Sequence, residues 1–155
     1  MTTPENFLCA LCLMAWGIPI VYFDIRENRI PNALTYSGIL VGLAVLILFR
    51  RDALADYGLA FLAGFGVFYV LFMFGWVGGG DAKLMGMIGL LMGLRFLASA
   101  LVYIALAGGL LALCVMISLR AKGRPIRGAR VPYGTAIMAG SYYAIFQSLL
   151  GGGGI

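Results

Sequence analysis

The chain has 155 residues, of which 63% are hydrophobic and 11% charged, with a net charge of +5 and no histidine. Soluble domains carry roughly 45–50% apolar residues, so this composition excludes a water-soluble globular protein and points to an all-α, polytopic membrane protein, a single domain over residues 1–155. The positive balance does not indicate a nucleic-acid partner, because the basic residues sit in short loops, where they set orientation and meet anionic headgroups of the bilayer.

Apolar segments at 7–23, 33–49, 57–77, 84–94, 96–119 and 131–150 predict about six transmembrane helices in a compact bundle, since roughly 20 residues cross the hydrocarbon core. No basic residue precedes the first segment and Glu5 is its only early charge, so it reads as a retained helix rather than a secretory signal. Cys9 and Cys12 lie inside it at the spacing of half a zinc or redox motif, without a second pair or any histidine, and Cys114 stands alone in the fifth segment. All three read as packing residues, and no metal or cofactor is expected.

Between the first two segments, Pro31 suits a helix start and Asn32 is expected to cap the second helix. Gly38 with Gly42, and Gly89 with Gly93, form GxxxG spacings that allow helices to approach closely. The fourth segment, Leu84 to Leu94, would rise only about 16 Å as a helix. It is therefore expected to extend into the preceding loop, to thin the bilayer or to be re-entrant. Arg95 separates it from the fifth, and fusing the two into one bent helix would leave five spans. The basic stretch 120–130, broken by Gly123, Pro125 and Gly128, reads as a flexible loop.

With six helices, the odd loops hold Arg26, Arg29, Lys83, Arg120, Lys122, Arg124, Arg127 and Arg130, against Arg50, Arg51 and Arg95 in the even ones. Positive loops stay cytoplasmic. This orientation leaves both termini, including the uncharged side chains of the tail Gly151–Ile155, on the non-cytoplasmic side.

It also sorts the six acids. Glu5, Asp52 and Asp56 fall outside; Asp24, Glu27 and Asp81 fall on the cytoplasmic side. Asp24 follows Tyr22-Phe23 directly, and Asp81 is wedged between apolar runs in Val77-Gly-Gly-Gly-Asp81-Ala-Lys83. A carboxylate this close to hydrocarbon is costly and marks a candidate functional group. Two adjacent carboxyls can share one proton and so provide a base and an acid together, which is what hydrolysis of a peptide by water requires. Glycines 78 to 80 would let the backbone approach a substrate strand. They do not complete the GxxxxGK[ST] pattern of a phosphate loop.

Structural readings stand beside the catalytic ones. Asp24 could pair with Arg26 or Arg29 at the end of a helix, and Asp81 could cap the fourth helix. Lys83 either tunes the field at Asp81 or is simply an orienting charge, and Tyr133 either lines the site or anchors at the interface.

Asp24-Ile-Arg-Glu-Asn-Arg-Ile-Pro-Asn32 together with Gly78-Gly-Gly-Asp81-Ala-Lys-Leu84 resembles the type IV prepilin peptidases, GxGD aspartic proteases of prokaryotic membranes. Val131-Pro-Tyr-Gly134 looks like a third element of that family. The resemblance implies that Asp24 and Asp81 are the catalytic pair; Gly78, Gly80, Lys83 and Tyr133, from their own positions, are expected to shape the site or contact substrate. It further implies that prepilins or pseudopilins are cut at the cytoplasmic face of a bacterial inner membrane. The long form of the family has paired CxxC zinc motifs and methylates the new N-terminus. Those motifs are absent, so methylation is not expected, and the chain looks most like the short peptidases of Flp or tight-adherence pili. The alternative class is a small transporter or channel using both aspartates for cations or protons. No inverted repeat and no acid at a segment midpoint favours it.

Overall fold

The computed structural model describes residues 4–125 and 131–150. Six α-helices follow one another, α1 Pro4–Glu27, α2 Asn32–Phe49, α3 Leu54–Met73, α4 Gly79–Met92, α5 Leu94–Ala121 and α6 Tyr133–Leu150, with a short 3₁₀ turn at Arg51–Ala53. Among the described residues there is no strand, as expected where lipid leaves backbone groups no partner outside a helix.

Helices α1, α2, α3 and α5 are each long and apolar enough to cross a membrane, and the outward faces of the bundle are greasy. Ile18, Leu40, Leu62 and Leu106 are all at least 64% exposed, a pattern that only an apolar surround tolerates. This is a multi-pass membrane protein.

The fourth segment begins earlier than its apolar run. It starts at Gly79, so Asp81 belongs to its first turn, and from Asp81 to Met92 every residue but Lys83 is buried. At about 21 Å long it forms the centre of the bundle, packed most heavily on α3 and then on α2. Gly38 and Gly42 of α2 face it at Met87 and Leu90, so the first GxxxG pair does serve close packing.

The second pair is divided. Gly89 abuts Ala60 of α3, whereas Gly93 has φ +83° and ends the helix, a conformation open to glycine at little cost. The break between α4 and α5 therefore lies at Gly93 rather than at Arg95, and the two helices are separate.

Arg50 departs from its reading as a loop charge. It is buried at the end of α2, where Nη1 donates to the Leu91 carbonyl (3.0 Å) and Nη2 to Asn6 Oδ1 (2.7 Å). Its guanidinium lies over the Tyr57 ring at 4.7 Å, with Glu5 3.7 Å away. A carbonyl at the C-terminal end of a buried helix has no intrahelical partner, and Arg50 supplies one. Of the stretch 120–130, the described part ends α5 and turns at Gly123 (φ +64°); residues 126–130 and the tail from Gly151 lie outside the described residues.

Candidate functional site

Helix α1 runs past the end of its apolar stretch to Glu27, so Asp24 lies within its last turns, its carbonyl accepting from the Asn28 N–H at 2.9 Å. Asn28 then adopts φ +48°, a left-handed stop that asparagine accepts more readily than most residues. The reversal drives Ile30 inward, where it is buried against the starts of both α4 and α6. A Cβ at Gly80 would stand 3.1 Å from Ile30 Cβ, and one at Gly134 would stand 2.8 Å from Ile30 Cδ1. The helix ends thus drawn together include the two that carry the aspartates.

Asp24 is buried at 4% exposure. Its Oδ2 accepts two hydrogen bonds from Thr135, one from the backbone N–H (2.6 Å) and one from the hydroxyl (2.9 Å). Thr135 is the third residue of α6, where backbone N–H groups have no carbonyl one turn back. A carboxylate from α1 therefore performs the capping that a local side chain usually provides. Among the described residues Asp24 makes no ion pair with Arg26, which instead lies over the Tyr22 ring at 5.3 Å, or with Arg29.

Asp81, 6% exposed, stands in the first turn of α4. Its Oδ2 accepts the Gly78 N–H at 2.8 Å, while its own N–H donates to the Gly78 carbonyl at 3.0 Å. Gly78 is the N-cap and Asp81 the third helical residue. The capping role foreseen for Asp81 is thus real in modified form, as the reciprocal half of a capping box. Asp81 sits at the positive start of α4, and Asp24, although in the last turns of α1, faces the positive start of α6; a helix N-terminus favours negative charge.

Both aspartates line one cavity of about 600 Å³, together with Arg29, Ile30, Asn32, glycines 78 to 80, Lys83, Trp76 and Tyr133. Of the expected site residues, all six meet here. Lys83, however, turns toward α2: its Nζ donates to Asn32 Oδ1 at 2.9 Å and lies 4.9 Å from the centre of the Tyr36 ring. Asn32 consequently does not cap α2. Pro31 holds the N-cap position without a side-chain bond, and Asn32 is the first helical residue. Tyr133 lines the cavity and reaches toward Gly108 of α5, its ring 6.3 Å from that of Phe68.

A second cavity of about 620 Å³ lies at the opposite end, with Asp56 as its one carboxylate among the described residues. That group accepts the Leu94 N–H at 3.3 Å, so this cavity offers no carboxyl pair. Among the described residues no three acidic, cysteine or histidine side chains converge as a metal site requires.

Thr135 and Ile30 were not foreseen. Thr135 follows the Val131-Pro-Tyr-Gly134 motif directly, which is the one signal that could have flagged it. Ile30 reads as an ordinary loop apolar until the turn at Asn28 is known.

The class of protein is an all-helical, multi-pass membrane bundle, and two buried aspartates, from α1 and α4, line one of its cavities. The profile of the type IV leader peptidase family matches residues 11–116, and the chain belongs to that family. It is similar to a prepilin leader peptidase/N-methyltransferase of Myxococcus xanthus (strain DK1622), 25% identical over 116 residues covering 70% of this chain. The match covers 35% of that protein, so the chain corresponds to about a third of its relative's length. No solved structure matches.

Proposed function

We propose that the chain is a membrane aspartic endopeptidase that removes the leader of prepilins or pseudopilins, with residues 1–155 forming a single transmembrane peptidase domain. The observation that carries this reading is the shared cavity of Asp24 and Asp81, two carboxyls from distant parts of the chain buried at the same end of the bundle.

Two carboxyls in one cavity repel when both are ionised, so a single shared proton is the favoured state. The ionised member takes a proton from water as its oxygen attacks the peptide carbonyl carbon, and the protonated member donates to the carbonyl oxygen. Collapse of the tetrahedral intermediate breaks the C–N bond, a proton passes to the leaving amine, and the pair again holds one proton.

The cavity end carries Arg29 and Lys83, and positive loops are retained in the cytoplasm. The reading therefore sets cleavage at the cytoplasmic face of a bacterial inner membrane and the helix ends at Pro4 and Leu150 on the other side.

Co-expression of a prepilin with the wild type, Asp24→Asn or Asp81→Asn tests the pair. Wild type should shorten the pilin by its leader, and each variant should leave it uncut while reaching the membrane in normal amount. Full processing by either variant overturns the dyad.

A further inference from the structure

The two aspartates are held differently. Among the described residues Asp81 receives one hydrogen bond, from the Gly78 N–H, whereas a single oxygen of Asp24 receives two, both from Thr135. A backbone N–H can only donate, so Oδ2 of Asp24 acts as an acceptor here, and a proton on this carboxyl would belong on Oδ1. Donors aimed at a carboxylate strengthen when it is charged. Among the described residues, the remaining charged or titratable groups lining this cavity are Asp81 and Lys83 of α4, Arg29 of the α1–α2 loop and Tyr133 of α6. Lys83 is engaged by Asn32.

We propose that Thr135 is the positioning residue that fixes the roles of the pair: by clamping Oδ2 of Asp24 it keeps Asp24 as the ionised base and leaves the shared proton to Asp81, the acid. This rests on the dyad reading above. Gly134 makes the clamp possible, since a Cβ there would lie 3.0 Å from Asp24 Cγ, and Ile30 closes the space beside it. The hydroxyl of Thr135 contributes one of the two bonds through a side chain, so it can be removed without disturbing the backbone donor.

The test uses purified full-length protein in nanodiscs and a fluorogenic peptide spanning a prepilin leader junction, with Asp24→Asn and Asp81→Asn run alongside Thr135→Val, Thr135→Ala and Thr135→Ser. Loss of one hydrogen bond to a charged group should lower kcat about ten- to hundredfold in the Val and Ala variants with little change in KM. The acid limb of kcat/KM should also move toward higher pH by about one unit. Thr135→Ser should restore the limb and recover kcat to within about threefold of wild type.

Loss of folded enzyme would scale the whole profile without moving it, so the limb separates positioning from mere stability. Val and Ala variants with an unmoved limb, or a Ser variant as impaired as Ala, would overturn the role of Thr135 even with both Asn variants inactive. Activity in either Asn variant would instead remove the dyad on which it rests.

Discussion

Lys83 Nζ and Asn32 Oδ1 are 2.9 Å apart and join the first turns of α4 and α2. The lysine sits two positions beyond Asp81, yet its charge is spent on Asn32 and on the face of Tyr36 instead of on the neighbouring carboxyl. Its contribution is thus to the seating of α4. Lys83→Met should lower the rate of prepilin cleavage less than about tenfold, in keeping with the roughly 0.5–1 kcal/mol typical of exposed cation–π contacts and charged pairs. Initial rates for Lys83→Met and Lys83→Arg check this, and abolition of activity by the Met variant would return the lysine to the chemistry.

Gly134 and Gly58 make a matched pair of tests. A methyl at Gly134 meets Ile30 Cδ1 at 2.8 Å and Asp24 Cγ at 3.0 Å, whereas nothing lies within 4 Å of one at Gly58 in α3. Gly134→Ala should destabilise by about 1–3 kcal/mol through overpacking and displace Asp24, with activity falling more than stability explains. Gly58→Ala should be neutral or raise stability by roughly 0.5–1 kcal/mol as a helix-interior exchange. Thermal unfolding in detergent with parallel cleavage assays measures both.

Arg50 predicts stability loss far from the candidate chemistry. Its removal leaves the buried Leu91 carbonyl without its donor and strips Asn6 of its charged partner. Arg50→Ala should cost about 2–4 kcal/mol, while Arg51→Ala, whose exposed side chain caps the Ile47 carbonyl at 2.7 Å, should cost under about 1 kcal/mol. The midpoints of thermal unfolding for the two variants should separate clearly; equal midpoints would show that the buried guanidinium does not hold α4.

A pair sharing one proton is active only in its singly protonated form. Single-turnover cleavage should follow a bell-shaped pH profile whose two apparent constants belong to Asp24 and Asp81 jointly, and each Asp→Asn variant should lose the bell along with the activity. A flat profile across the acid range would count against the shared proton.

Much of this was legible in the chain because hydropathy reports lipid contact directly. The apolar run 33–49 became Asn32–Phe49, and the two aspartates stood out as charges bordering apolar runs. Boundaries failed where polarity and backbone conformation part company. Residues 74 to 77 are apolar or glycine, yet the chain leaves α3 at Met73 and turns through Gly75 at φ +75°. At the other extreme, α1 continues through Asp24 to Glu27 because the helix neither needs nor notices an apolar side chain there. Thr135 was hidden for a different reason: its partner lies 111 positions away, and no local pattern announces a bond closed by tertiary packing. Arg50 misled because a charge count cannot distinguish a loop arginine from one folded back onto a buried carbonyl.

One consequence of the central helix concerns length. Lys83 is tied to Asn32 of α2 near its start, and the Leu91 carbonyl is tied to Arg50 at its finish, so α4 is a rod fastened at both ends. One residue inserted between those ties would turn one end against the other by about 100° and lengthen the rod by about 1.5 Å. Such an insertion would have to swing the Asp81 carboxyl off the cavity wall or tear Leu91 from its guanidinium. Substitutions that keep size are the changes this segment can absorb, and a change of even one residue in its length is not.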